Sequence, residues 1–229
     1  MTTGPPASMN LLAVLAREAE RTGVYLRMLD ANAWSRSTRC PPMSVLELAA
    51  HTRRAWARIA DLLDAGPVDG EPEKDSAAYF RFDRAQVSPQ VLARAQADAA
   101  THGTGEALLT AWEGLGEVIG RARAALDEAD GVYLTILGTM RLSEYVRTRI
   151  VEVTVHHMDL RDAFGDPPDP DPEALEITGD VLRALAGTDL RPRGIDDVRF
   201  ALIGTGRAPL DSDERVILGP RTNLFPLFA

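Results

Sequence analysis

With 229 residues, 45% hydrophobic and 26% charged, the chain can form one large domain, or one domain with a small appendage, at roughly 100–200 residues per domain. It is too apolar to stay disordered. No run of about 18 apolar residues is present, which excludes a helical membrane span. A net charge of −9 excludes the basic face that sequence-independent nucleic-acid binding needs.

Residues 1–7 read as a loose tail, without the basic-then-apolar order of a secretory signal. Ser8 is placed to cap a first helix over about residues 9–31, its apolar side built from Leu11, Leu12, Leu15, Val24, Leu26 and Leu29 and widened by Tyr25 and Met28. A loop follows with Trp34, Cys40 and Pro41-Pro42. Ser44-Val45-Leu46-Glu47 has the spacing of a capping box and opens a second helix to about Ala65. Residues 66–76 read as a surface loop. Ser88-Pro89 predicts the start of a third helix running to about Asp127, with a break near His102-Gly103. Val132–Leu137 is a short extended connector, and Ser143 opens a fourth helix to about residue 164. The acidic, proline-rich segment 166–172 is a solvated linker. Beyond it come a helix over Pro172–Ala186, an alternating strand over Val198–Ile203, a Gly204–Arg207 turn and a helical turn over Asp211–Leu218. The expected fold is mainly α: a four-helix bundle with long crossovers over residues 1–165, and a small α+β extension over 166–229.

Four histidines are present, His51, His102, His156 and His157. Glu152 and His156 stand four apart, so a helix projects both from one face. Their neighbours Ile150, Val151, Val153 and Val155 make that helix apolar nearly all round, hence buried. A buried carboxylate needs a partner; a metal is one, and Arg149 is another. His51, on the second helix, can converge on the pair. Two histidines and a carboxylate suit zinc with an open position, or ferrous iron. The same spacing also arises in an ordinary exposed or partly buried pair.

Trp34, Thr38-Arg39-Cys40-Pro41, Ser44-Val45 and Leu48-Ala49-Ala50-His51, followed by Arg147-Thr148-Arg149, Glu152, Val155-His156 and Asp159-Leu160, resemble the two signatures of the mycothiol-dependent maleylpyruvate isomerase family, a branch of the DinB-like metal-binding bundles. The stretch Thr205-Gly206-Arg207, Leu210, Glu214-Arg215, Leu218-Gly219 and Phe225-Pro226-Leu227 is similar to the tail of actinobacterial members. The resemblance implies that His51, Glu152 and His156 hold a divalent zinc, and that mycothiol serves as thiol cosubstrate. Two departures stand out. Cys40-Pro41-Pro42-Met43 replaces the usual Cys-Pro-Gly-Trp, and His157 follows the second histidine where a small residue is frequent.

Such a site predicts an enzyme in which a thiolate, favoured beside the cation, adds to an electrophilic carbon. In an isomerase it leaves again after bond rotation; in an S-transferase the adduct is kept. The expected partners are a small-molecule substrate and a low-molecular-weight thiol, in the reducing cytoplasm that one cysteine suits, with the chain monomeric or homodimeric. Arg207 is the candidate catalytic residue, suited to bind a substrate carboxylate bidentately; a solvent-facing turn arginine is the other reading. Cys40 reads as a loop-packing residue rather than a nucleophile, and His102 as a solvated loop histidine. His157 points about 100° away from His156 and touches a ligand or an interface. Asp159 orients a ligand or holds Arg149. Trp56 and Trp112 belong to the core. Two further functions remain open: a non-catalytic metal-bundle protein, binding a small ligand or acting as a stress-linked dimer, and a metal-dependent hydrolase in which the cation activates water.

Overall fold

The computed structural model describes residues 7–187, 190 and 194–228, without the side chains of residues 7–9 and 84. The expected loose tail lies outside the described residues, except Ala7. That residue already begins helix α1 (Ala7–Arg27), so Ser8 is inside the first turn rather than before it. Leu11, Leu12, Leu15, Ala19 and Leu26 of α1 are buried, whereas Val24 and Met28 face out. Helix α2 (Val45–Ala65) begins as the sequence predicts. The Glu47 amide donates to Ser44 Oγ, and the Ser44 amide donates to the Glu47 carboxylate at 2.6 Å.

A four-residue helix, α3 (Ser76–Tyr79), precedes α4 (Arg84–His102), α5 (Gly105–Trp112) and α6 (Leu115–Glu128). The single long third helix is therefore three. The break at His102-Gly103 is present, with Gly103 at φ +72°, but α4 starts before Ser88. Asp83 is its cap, accepting from the Ala85 amide at 2.9 Å, and Pro89 lies inside the helix. The proline costs one ladder bond there; an exposed carboxylate upstream nonetheless provides the earlier start.

Strands β1 (Val132–Thr135) and β2 (Gly138–Arg141) pair antiparallel as a hairpin. Helix α7 (Leu142–Asp162) follows immediately. Asp130 steadies its first turn, accepting from the Ser143 amide and hydroxyl at 2.9 and 2.6 Å. Helix α8 (Pro172–Ala186) has Asp171 as cap. The expected strand over Val198–Ile203 is helical instead, within α9 (Asp197–Gly204). Asp196 caps it, accepting from the Arg199 amide at 2.7 Å, and Phe200, Ile203 and Gly204 share its buried side. A window this short cannot separate a period of two from a helical one. Helix α10 (Ser212–Leu218) opens on a second capping box, Asp211 with Glu214.

The fold is mainly helical, and its small sheet lies between α6 and α7 rather than after residue 166. Helices α1 and α2 each pack on both α6 and α7. The four therefore close a ring in which α1 stands diagonal to α2, the arrangement of a four-helix bundle. Outside the ring, α4 covers α2, α8 covers α7 and α9 covers α8. Trp56 and Trp112 meet edge to face in the core, 6.0 Å apart. No described helix is long and apolar enough to cross a membrane.

Trp34 lies so close to α5 that a Cβ on Gly105 would sit 2.0 Å from a ring carbon. Gly105→Ala is thus expected to cost about 1–3 kcal/mol by overpacking, read in denaturant unfolding. An unchanged midpoint would mean that Trp34 moves aside freely.

Candidate metal centre

Helix α7 is buried on nearly every side, from Leu142 and Val146 through Ile150, Val153 and Leu160. Its position at the centre explains why its sequence has no polar face. Glu152 and His156 leave it toward α2, where His51 faces them. His51 Nε2 lies 3.6 Å and His156 Nε2 3.4 Å from the same oxygen, Glu152 Oε2. The two rings stand edge on with centroids 5.0 Å apart. One donor atom from each of the three residues falls within 4.8 Å of the others.

These separations fit a shared cation. Ligands about 2.0–2.1 Å from a tetrahedral centre stand about 3.3 Å apart, close to the observed spacing and longer than ordinary hydrogen bonds. Electrostatics favour binding at two of the three residues. Burial pushes the Glu152 carboxyl up, but the two imidazoles and the Arg149 guanidinium outweigh it and hold the group well below the carboxylate range. Burial pushes His51 down, toward the neutral form that a metal needs.

Asp159 organises the other side of His156. It is fully buried, and its Oδ2 lies 3.0 Å from His156 Nδ1. That contact fixes the ring and leaves Nε2 for Glu152 and His51. Arg207 donates to both Asp159 oxygens, from Nε at 3.2 Å and Nη2 at 2.9 Å. Cys40 Sγ donates to Oδ2 at 3.3 Å, and Arg39 approaches Oδ1 at 3.8 Å while pairing with Asp162. Burial raises the Asp159 carboxyl, but His156 and Arg207 carry it far below its ordinary value. His156 is held well above its own, because Asp159, Cys40 and Glu152 overcome its burial.

Asp159 contacts the His156 ring, and its arginine partner is Arg207, not Arg149. Arg149 is buried between the Tyr79 and Tyr145 rings, 5.1 and 4.6 Å from their centroids. Arg207 is no solvent-facing turn residue: Nη1 donates to the Thr205 carbonyl at 3.0 Å, and the side chain is largely buried. Cys40 is a polar contact of the centre as well as a loop residue. His157 faces away, toward α1. His102 is the last residue of α4, at the break.

The cluster floors a recess of about 900 Å³. His51, Glu152, His156, Cys40 and Arg207 line it, with Met43 where the usual motif has tryptophan. Phe82, Val91, Leu92 and Phe228 add apolar wall.

A four-helix bundle with a His–Glu–His cluster shared between two neighbouring helices is the class that this fold and site define. The chain belongs to the mycothiol maleylpyruvate isomerase N-terminal domain family, whose model matches residues 15–161, well over half of its length. No curated protein and no solved structure gives a match. His51, Glu152, His156 and Asp159 fall inside the matched span; Arg207 lies beyond it.

Proposed function

We propose that this protein is a zinc-dependent, mycothiol-using isomerase or S-transferase acting on a small, electrophilic, carboxylate-bearing substrate. His51, Glu152 and His156 hold the cation in this reading. The observation that carries it is the meeting of three donor atoms at the floor of a recess roomy enough for a thiol and a substrate together. Membership of a mycothiol-related family supports the thiol. The cluster belongs to the bundle, and Thr205, Gly206, Arg207 and Phe228 of the C-terminal extension line one side of the recess. The protein works in the cytoplasm with the intracellular thiol pool, as a monomer or homodimer, and its tail is in keeping with actinobacterial members.

A bound divalent cation supplies positive charge that favours ionisation of a thiol beside it. The chain does the remainder. Asp159 holds His156 by Nδ1, so Nε2 stays directed at the centre. Arg149 sets a second positive charge behind Glu152. The apolar wall keeps water from a reacting thiolate. Arg39 and Arg207 reach that side of the recess, each already paired with an acid, Arg39 with Asp162 and Arg207 with Asp159. Arg207 already donates to Asp159, so a substrate carboxylate shares that guanidinium rather than taking it whole. Glu152 is the only carboxylate among the described residues lining the recess, which leaves a hydrolase without a separate general base.

The test is turnover of a conjugated cis-diacid by purified, metal-analysed protein, with and without mycothiol. Turnover only with the thiol is expected. Equal rates without it would overturn the thiol reading in favour of a thiol-independent reaction. Arg207→Ala is expected to raise KM for the anionic substrate and also to lower stability, because Asp159 loses its cation. A variant with unchanged KM would remove Arg207 from substrate binding.

A further inference from the structure

The recess that holds the cluster has two unlike parts. Its polar part is the cluster itself, with Arg39 and Arg207. Both arginines are already spent, Arg39 on Asp162 and Arg207 on both oxygens of Asp159. No other arginine or lysine lines the recess among the described residues. A substrate carboxylate can share Arg207, and in the proposed reaction the place beside the cluster belongs to the thiol. Nothing is left to receive a second carboxylate.

The other part is built by residues 82–92, which run into the first half of α4. Of the described residues there that line the recess, Ser88 is the only polar one. Val87 and Val91 stand four apart and so share a helix face, and Leu92 lies beside them. Helix α4 packs on α2 outside the four-helix ring, yet these three side chains are only half-buried, because they border the recess. Phe82, Met43 and Phe228 continue the apolar lining. Phe228 is backed by Phe80, its ring stacked at 4.6 Å between centroids. An apolar wall left open beside a few polar anchors is the ordinary form of a small-molecule site.

We propose that the substrate of this recess is an amphiphilic monocarboxylate: its one carboxylate shares Arg207, and its apolar body lies along Val87, Val91 and Leu92. The inference deepens the proposed function and rests on its placing of an anionic substrate beside Arg207. A short diacid matches the polar part alone and leaves the α4 wall in water. Val87, Val91 and Leu92 determine specificity in two ways. Each methylene laid on them is removed from water. A charge at the far end of the substrate would be desolvated against a wall that offers it no partner.

The experiment measures binding of saturated probes to the full, metal-loaded chain by calorimetry, without mycothiol. Octanoate is expected to bind roughly tenfold or more tightly than butanoate, since its longer chain leaves water. It should exceed octanedioate, of equal length but charged at both ends, by a similar factor of about ten. Val91→Gln combined with Leu92→Gln should abolish the octanoate advantage and keep the metal. Val24→Gln, on the exposed side of α1, should keep the advantage. If the double variant does not fold, Val87→Gln is read in its place. Equal affinity for butanoate and octanoate would overturn the proposal. So would octanedioate binding as tightly as octanoate, or an advantage that survives the double variant or disappears with Val24→Gln. Saturated chains accept no thiolate, so the two readings fail separately. A chain-length effect without thiol-dependent turnover would overturn the thiol reading alone; thiol-dependent turnover with a flat series would overturn this inference alone.

Discussion

His156→Ala is expected to leave the purified protein without stoichiometric divalent metal, and the same should hold for His51→Ala. Loss of an outer hydrogen-bond partner costs about 10–100-fold in metal affinity; loss of a donor atom itself should cost more. The bundle should still fold, because its core is apolar and independent of the cluster: Leu12, Leu15, Leu48, Ile59, Ile150 and Met158 are all but completely buried. The signature is a change in what chelation does. Wild-type protein should melt lower after chelator treatment, since a ligand bound only by the folded state stabilises it by mass action. The His156→Ala protein should melt alike with and without chelator. His102→Ala, at the end of α4, serves as the control and should keep its metal. Full metal content in either donor variant would sink the cluster as a metal centre.

Asp159→Ala should have the largest effect on stability, about 3–5 kcal/mol, the usual cost of breaking a buried ion pair from one side. Arg207 would lose the carboxylate that both Nε and Nη2 engage, and the Cys40 thiol its acceptor. Metal affinity should fall as well, by about 10–100-fold, because His156 Nδ1 loses its carboxylate partner. Asp159→Asn preserves the shape and should recover part of the stability but little of the charge. Adding Arg207→Met to Asp159→Ala should restore part of the loss, since the orphaned cation goes too; the double-mutant cycle reads that coupling. A loss below about 1 kcal/mol for Asp159→Ala, typical of an exposed pair, would show that water reaches the pair.

The meeting of His51, Glu152 and His156 was legible because local rules govern much of it. A capping box fixes where α2 starts, and an i, i+4 spacing on an apolar helix fixes which side chains share a face. Helix α8, expected from Pro172, begins there behind the Asp171 cap, a signal of the same local kind. The rest was hidden in distance. Asp159 meets Arg207 across 48 residues and His157 meets Glu18 across 139, and no short-range pattern encodes either. One signal was available: Glu18 and Thr22 interrupt the stripe of Leu11 and Leu15 at helical spacing, and both prove fully buried. A charge on an apolar stripe asks for a buried partner. Where local signals compete, the louder one can mislead. Ser88-Pro89 is the stronger helix-start pattern, yet Asp83 sets the start of α4. The alternation in Val198–Ile203 gave way to the Asp196 cap.

The grip of Arg207 on Asp159 bears on how this chain can be recombined with others. The family span ends at residue 161, which makes the C-terminal segment look like an interchangeable module. It is not freely interchangeable. A recombinant that keeps residues 15–161 and replaces the remainder retains the whole His–Glu–His cluster, yet leaves the buried carboxylate in the last turn of α7 with only His156, Cys40 and the more distant Arg39 as partners. Any tail grafted there must return a guanidinium to that carboxylate, or the junction itself becomes the weakest point of the hybrid.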